Sequence, residues 1–216
     1  MNFDTAAYLR KSTGRAKSDV ANKLVSMFLH EVSRKLSSTV ELTVGSPKYS
    51  ADVLAAFGLN CCYCGRVLEH DRTAVEHLDG MNRFRAGLHI PGNVVVSCKK
   101  CNNEKRRDDQ LRELKLADTG WESFLCHDWT KCDAACKTCT YWKSLWPEED
   151  TRISSLSLAR TRLLAFRGQH REAIELSRRI QPALHEELEK IYRECQIFAT
   201  SRIKGSVDQV ISSLTA

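Results

Sequence analysis

The chain has 216 residues, of which 42% are apolar, so it can bury a core and is not a disordered polymer. Its formal net charge of +6 suits a phosphate-bearing partner but is too small to require one. The N-terminus lacks the basic and apolar run of a signal peptide, and no apolar stretch is long enough to span a bilayer. These features predict a globular protein of the cytoplasm, without a membrane partner.

The first predicted element is an amphipathic helix over residues 18–36. Its apolar residues recur at helical spacing, at Val20, Leu24, Met27, Phe28 and Val32. Ser18 is a suitable N-cap for this helix. The preceding polar arm carries three basic residues, Arg10, Lys11 and Arg15. We predict that this arm follows the phosphates of a nucleic acid, and the alternative is a solvated, frayed terminus.

The central part of the chain predicts a short helix followed by a β-hairpin. The helix covers residues 50–57, and apolar runs of strand type cover residues 73–78 and 93–97. The loop between the strands contains the turn-forming residues Gly80, Gly87, Pro91 and Gly92. It also carries Arg83 and Arg85, for which we predict contact with a groove of the nucleic acid.

Two Cys-x-x-Cys pairs bracket this hairpin, namely Cys61/Cys64 and Cys98/Cys101. Four thiolates at this spacing complete a tetrahedral zinc site with no open position, so such a zinc holds the fold and does no catalysis. The alternative, a redox dithiol, is typical of one pair that opens a helix, whereas two pairs around a hairpin favour zinc. Cys62 and Cys195 are predicted to be ordinary thiols.

A second group of cysteine and histidine residues follows the first. Its members are Cys126, His127, Cys132, Cys136 and Cys139, with Trp129 and Trp142 beside them. Only Cys136 and Cys139 have the standard spacing of a zinc-binding pair, and the fourth ligand is either Cys126 or His127. We predict a second structural zinc here, and the alternative is a set of buried thiols packed against the tryptophans.

From about residue 152 onward the sequence predicts helices, with Pro182 as the first residue of the last long one. An apolar seam runs along that helix through Leu184, Leu188, Ile191, Cys195 and Phe198. Such a seam needs a partner. The partner is either another part of this chain or the same helix of a second copy, which would make a homodimer.

Four motifs of the central region occur in an order that is informative as a set: Cys61-Cys62-Tyr63-Cys64-Gly65, Val75-Glu76-His77, Gly92-Asn93-Val94-Val95 and Cys98-Lys99-Lys100-Cys101-Asn102. With these motifs, residues 58–112 resemble the HNH endonucleases, in the variant whose ββα-metal fold is closed by a four-cysteine zinc. Together with the predicted helices, the resemblance implies a mainly α protein with a small zinc-bound ββα-metal motif and helical N- and C-terminal extensions. The expected regions are an N-terminal helical arm (1–49), the nuclease motif (50–115), the second Cys/His cluster (116–145) and a helical C-terminal region (146–216).

The resemblance also implies the residues that carry the chemistry. His77 would be the general base that takes a proton from water. Glu76 and Asn102 would hold a catalytic Mg²⁺ or Mn²⁺ through oxygen atoms, with Glu where the family more often has Asp. Asn103 is an alternative ligand to its neighbour, and Asn102 is alternatively the cap of the helix that follows.

Supporting roles follow from the same resemblance. Asn93 would tie the hairpin loop together and orient the histidine. Lys105 and Arg106 lie three and four residues after Asn102, hence on one face of a helix, where they would contact phosphates. The alternative is that both belong to an ordinary solvated helix end.

The resulting expectation is a metal-dependent HNH endonuclease that hydrolyses double-stranded DNA, in restriction or another anti-phage defence. The alternative is a non-catalytic zinc module that binds nucleic acid or protein, and a redox protein is a third interpretation that the hairpin disfavours. A binding module has no need of a base and hard-metal ligands at Glu76, His77, Asn93 and Asn102. This set of residues therefore separates the first two interpretations.

Overall fold

The computed structural model of the chain describes residues 5–39, 43–107 and 137–214, and gives only the backbone of residues 5–18, 104–107 and 137–138. Across these ranges the chain is mostly helical and contains a two-stranded antiparallel sheet. Four cysteines lie close together in space, and one of them, Cys98, is the last residue of that sheet. The predicted fold class, mainly α with a small ββα motif, is confirmed.

In chain order the described elements are α1 (Thr5–Ser37), α2 (Pro47–Phe57), a short 3-10 helix η1 (His70–Arg72), β1 (Thr73–His77), β2 (Val94–Cys98), α3 (Lys99–Arg107), α4 (Lys137–Leu145), α5 (Glu149–Gln169), α6 (Arg171–Phe198), a π-helical turn η2 (Ala199–Ile203) and α7 (Lys204–Leu214). Among the described residues, no helix combines the length and apolar content that crossing a bilayer requires.

The hairpin is where the apolar runs predicted it. β1 pairs with β2 in antiparallel register, with Thr73 opposite Cys98 and His77 opposite Val94. Both predicted strands are therefore confirmed to within one residue at each end. Because α3 follows β2 without a connecting loop, the hairpin and this helix form a compact ββα unit.

The N-terminal helix is longer than predicted. α1 begins at Thr5, well before the predicted start at Ser18, so the backbone of the basic arm is helical. Residues 5–17 contain one glycine and no proline, which leaves nothing in the sequence to stop the helix from extending toward the N-terminus. The side chains of Arg10, Lys11 and Arg15 lie outside the described residues.

The start of α3 also differs from the prediction. The helix begins at Lys99 rather than at Asn102. The Sγ atom of Cys98 accepts the backbone N–H of Cys101 at 3.5 Å, which occupies one of the amides that a helix start leaves unpaired. Asn102 therefore lies inside the helix, and its interpretation as the helix cap is wrong.

Pro182 lies inside α6 and does not begin a helix, so that prediction is wrong. A proline in a helix interior removes one backbone hydrogen bond and costs about 3 kcal/mol. Burial on both sides of the proline offsets this cost, because Ala173 and Ile174 before it and Leu184 and Leu188 after it are buried.

One core surrounds the cysteine cluster. It joins Tyr49 and Phe57 of α2, Leu78, Val94 and Val95 of the hairpin region, Cys139, Tyr141 and Trp142 of α4, and Leu156, Leu163 and Phe166 of α5. The Tyr49 hydroxyl donates to the carbonyl of Val94 at 2.5 Å and accepts the N–H of Gly92 at 3.0 Å. Segments far apart in sequence thus converge on the hairpin.

A second core fixes α1 and α6 against the hairpin loop. It contains Val25 and Leu29 of α1, Ala86, Leu88 and Ile90 of the loop, and Ala173, Leu184 and Leu188 of α6. The first half of the predicted apolar seam is therefore packed within the chain. This is the first of the two alternatives that the seam allowed.

The far end of the seam is exposed. An apolar groove of about 960 Å³ lies there and is lined by Val20, Leu24 and Met27 of α1, Cys195 and Phe198 of α6, and Ile203 of η2. Beyond it, α7 carries an exposed apolar stripe at helical spacing, formed by Val207, Val210, Ile211 and Leu214.

Candidate functional site

The four predicted zinc ligands lie together. The Sγ atoms of Cys61, Cys64, Cys98 and Cys101 all lie within 4.8 Å of one another, and those of Cys64 and Cys98 are 3.9 Å apart. A tetrahedral zinc with Zn–S bonds of about 2.3 Å separates its sulfur ligands by about 3.8 Å. The cluster therefore has the size and the donor atoms to hold a metal ion such as zinc.

Local structure places each half of this cluster. The first pair lies in a tight turn, where the N–H of Gly65 bonds to the carbonyl of Cys61 at 3.0 Å. The N–H of Cys62 bonds to the carbonyl of Val96 at 3.2 Å, which attaches this turn to β2. Because the second pair spans the junction of β2 and α3, the cluster joins the turn, the strand and the helix.

Contact among the thiols changes their acidity. Hydrogen bonding from Cys101 is the main cause that lowers the pKa of Cys98 to about 6, and it also lowers the pKa of Cys61. The pKa values of Cys64 and Cys101 are raised, and for Cys101 the main cause is its hydrogen bond to Cys61. Tyr141 of α4 places its hydroxyl 3.1 Å from the Cys101 sulfur. Several thiolates this close together repel one another, and a bound cation relieves that repulsion.

The two residues predicted to hold a catalytic metal are in contact. The Glu76 carboxylate, on a residue only 2% exposed in β1, accepts a hydrogen bond from Nδ2 of Asn102 at 2.9 Å. Both residues line a cavity of about 430 Å³, whereas Asn103 is exposed on the next position of α3. The donor set offers carboxylate and amide oxygens, which are suitable ligands for Mg²⁺ or Mn²⁺.

His77 lines the same cavity and is half-buried at the end of β1. Its Nε2 atom lies 3.0 Å from Nδ1 of His89, which belongs to the hairpin loop. The backbone N–H of His89 in turn donates to the hydroxyl of Ser33 on α1 at 2.8 Å. Burial is the main cause that lowers the pKa of His89, and the nearby His30 lowers it further.

Asn93 closes the hairpin loop. Its Oδ1 accepts the N–H of Asp79 at 2.7 Å, and its Nδ2 donates to the carbonyls of Asp79 and Leu88 at 3.1 and 2.7 Å. The loop backbone is so close here that a Cβ atom on Gly87 would lie 1.8 Å from the carbonyl oxygen of Asp79. These bonds fix the chain immediately after His77.

A buried ion pair holds the same loop from outside. Arg167 of α5 donates to the carboxylate of Asp79 at 2.8 Å, and both side chains are buried. Removing either partner would leave the other charge buried without it, which is strongly destabilising. The loop is thereby tied to a helix that lies far away in sequence.

The two loop arginines predicted to bind DNA have partners within the protein. Arg83 contacts Glu189 at 3.2 Å and lies over the ring of Tyr192 at 3.8 Å, both on α6. Arg85 is only 1% exposed and lines the cavity that contains His77. Their placement suits support of the loop and of the cavity wall, and their contact with DNA stays a prediction.

Other predicted residues fall outside the described part of the chain. The backbone of Lys105 and Arg106 is helical, but their side chains are not described. Of the second cysteine cluster, Cys126, His127, Cys132 and Cys136 lie outside the described residues. Cys139 lies on α4 and is buried in the core that surrounds the first cluster.

Sequence reasoning missed His89 and the pair formed by Asp79 and Arg167. The only local signal for His89 is its position between two apolar residues, Leu88 and Ile90, in a loop otherwise rich in turn formers. Nothing in the spacing of these three residues connects them with His77. Their contacts depend on tertiary structure.

No protein-family model matches the chain, and no curated protein or solved structure matches it either. Function is therefore inferred from the cavity and from the residues that line it.

Proposed function

We propose that the protein is a metal-dependent endonuclease of the HNH type that hydrolyses phosphodiester bonds of double-stranded DNA. One observation carries the proposal: Glu76, His77 and Asn102 line a single cavity beside a four-cysteine cluster. Their order along the chain is that of the HNH motif. A zinc module that only binds a partner does not require a half-buried histidine and a buried carboxylate, here His77 and Glu76, in the wall of one cavity.

The proposed reaction is attack of water on the phosphorus atom. His77 accepts a proton from the water as the new O–P bond forms. The bond from phosphorus to the 3' oxygen breaks, and the released oxygen takes a proton from solvent, which gives a 5'-phosphate and a 3'-hydroxyl. A Mg²⁺ or Mn²⁺ ion held by Glu76 and Asn102 would stabilise negative charge on the phosphate and the leaving oxygen.

The four-cysteine cluster has a separate role in this proposal. Its thiolates would hold a structural zinc, which leaves the metal no open position for water. The cluster ties the turn at Cys61, the end of β2 and the start of α3 together, so it would fix Asn102 relative to Glu76. Zinc would support the catalytic geometry without taking part in the reaction.

Two further parts of the proposal concern the setting of the enzyme. We propose that it acts in the cytoplasm, in restriction or another defence against phage. We also propose a homodimer, since two copies suit a symmetric duplex target.

The test is a plasmid-nicking assay on the full chain with chelator, Mg²⁺ and Mn²⁺. We expect His77→Ala to reduce the cleavage rate by about 10²- to 10⁴-fold, the usual contribution of a positioned general base. Zinc content and DNA affinity should stay near those of the parent. His70→Ala is the matched control, because His70 is an exposed histidine of η1.

Two results would contradict the proposal. One is a parent protein that cuts no DNA with either metal, which would favour the non-catalytic zinc module. The other is His77→Ala cutting as fast as the parent.

A further inference from the structure

We propose that His89 is a positioning residue that holds the His77 imidazole in the tautomer with hydrogen on Nε2. The inference depends on the proposed role of His77 as the base. It starts from the contact between His77 Nε2 and His89 Nδ1 at 3.0 Å, a normal hydrogen-bond length between two ring nitrogens. Two neutral imidazoles at this distance share one hydrogen, so one ring donates and the other accepts.

The direction of donation decides what His77 can do. If His77 donates from Nε2, its Nδ1 atom carries the in-plane lone pair that can accept a proton from water. If His89 donates instead, the lone pair at Nε2 is already used, and Nδ1 carries the hydrogen. Only the first tautomer gives His77 a lone pair, on Nδ1, that the contact with His89 does not use.

His89 is held in place to accept this hydrogen bond. The Ser33 hydroxyl accepts the His89 backbone N–H at 2.8 Å and donates to the carbonyl of Leu29. Ser33 is itself buried, so both of these bonds are sheltered from water. His89 is therefore attached through Ser33 to α1, a helix that contributes no residue to the ββα unit.

The surroundings of His89 favour its neutral form. Burial lowers the pKa of His89, and His30 on α1 disfavours its charged form further. A neutral ring keeps one nitrogen with a lone pair, whereas a charged ring would be a donor at both nitrogens. His89 can thus act as the acceptor that the proposed tautomer of His77 requires.

Asn93, the residue predicted to orient the histidine, makes different contacts. Its side chain bonds to Asp79 and Leu88 and shapes the loop in which His89 lies. His89 contacts the His77 ring directly, with the two ring centroids 5.2 Å apart. Asn93 therefore holds the shape of the loop, whereas His89 contacts His77, the proposed general base.

The test combines a spectroscopic measurement with kinetics. Long-range ¹H–¹⁵N correlation spectra of the ¹⁵N-labelled full chain report which ring nitrogen of each histidine carries hydrogen, and His77→Ala assigns the His77 signals. The variants are His89→Ala, His89→Asn and His89→Gln, with His70→Ala as the control. Asn places its Oδ1 near the position of Nδ1 of histidine, whereas Gln places its polar atoms near Nε2.

We expect the parent to hold His77 with hydrogen on Nε2 and His89→Ala to show a mixture of tautomers. The single-turnover cleavage rate of His89→Ala should fall by about 10- to 100-fold, by analogy with the loss of residues that orient metal-binding histidines. DNA affinity and zinc content should be unchanged. His89→Asn should restore the parent tautomer and much of the rate, and His89→Gln should not.

The positioning role is overturned if His77 carries its hydrogen on Nδ1 in the parent, or if His89→Ala leaves the tautomer unchanged. Rescue by Gln that equals rescue by Asn would overturn it as well. A parent with the expected tautomer that cuts no DNA would contradict the proposed nuclease function but not the ring contact. The two failures are therefore distinguishable.

Discussion

At the scale of single residues, Glu76 is an acidic residue that is only 2% exposed. A carboxylate removed from water is costly unless it is paired or coordinates a metal. Asn102 supplies one hydrogen bond to it, and the same two side chains face the cavity that contains His77. A cation in the proposed metal site would pair with this buried carboxylate.

This placement predicts how Glu76→Ala behaves. Loss of the carboxylate should weaken binding of the proposed catalytic metal and reduce cleavage in low Mg²⁺ by on the order of 10²-fold or more, with partial recovery at high Mg²⁺ or Mn²⁺. A metal titration of the nicking rate measures this, with Glu69→Ala as the control because Glu69 is exposed. Recovery would separate a metal ligand from the base, since no metal concentration should rescue His77→Ala. An unchanged metal dependence would exclude Glu76 as a ligand.

The cysteines of the first cluster could be predicted because spacing in sequence determines their chemistry. Two Cys-x-x-Cys pairs can meet only if the chain between them folds back on itself, and the hairpin does this. His89 could not be predicted, because its role depends on a contact to α1 through Ser33. Arg85 was predicted to contact DNA because it is a basic residue in the hairpin loop, yet its side chain is buried in the cavity wall.

At the scale of secondary structure, the cysteine cluster is the joint between a turn, a strand and a helix. We expect Cys98→Ser to lose zinc and to unfold the ββα unit, because structural zinc binding contributes directly to folding free energy. Zinc analysis and hydrogen exchange of β1 and β2 measure the two effects. Cys195→Ser is the control, since Cys195 lies outside the cluster. Full zinc content in Cys98→Ser would contradict the assignment.

Two prolines lie within described helices, at different positions, so we expect different effects when each is replaced by alanine. Pro182 is exposed in the interior of α6, whereas Pro47 begins α2 behind the capping residue Ser46. Pro182→Ala restores a backbone hydrogen bond and should raise the free energy of unfolding by about 1–3 kcal/mol. Pro47→Ala should give no gain, because proline is favourable at the first helical position. Denaturant unfolding compares them, and destabilisation by Pro182→Ala would mean that the packing of α6 requires the proline.

Strands were easier to predict than helix ends. A run such as Val94-Val95-Val96 is suited to a strand wherever it occurs, and both strands were located to within one residue. Helix ends depend on what the neighbouring residues contact. The start of α3 follows from a bond to a cysteine sulfur, and the continuity of α6 follows from burial on both sides of Pro182.

At the scale of the whole molecule, α7 stands apart from both cores, because all of its described residues are exposed. A chain that ends at Ile203 should keep its zinc, because α7 adds no residue to either core. Exposed apolar surface of this extent marks contact sites, so we expect the full chain to be a homodimer and the truncated chain a monomer. Light scattering after size exclusion measures the masses. A monomeric full chain would contradict the dimer prediction, and loss of zinc after truncation would contradict the exposed position of α7.

The loop between β1 and β2 is anchored to helices from both ends of the chain. Ser33 of α1 holds His89, Arg167 of α5 holds Asp79, and Glu189 of α6 holds Arg83. A gene fragment encoding only residues 50–115 would lose all three anchors. We therefore expect that recombination can replace α7 without disturbing the rest of the fold. Transplanting the ββα unit into another protein, by contrast, requires equivalent helices in the recipient.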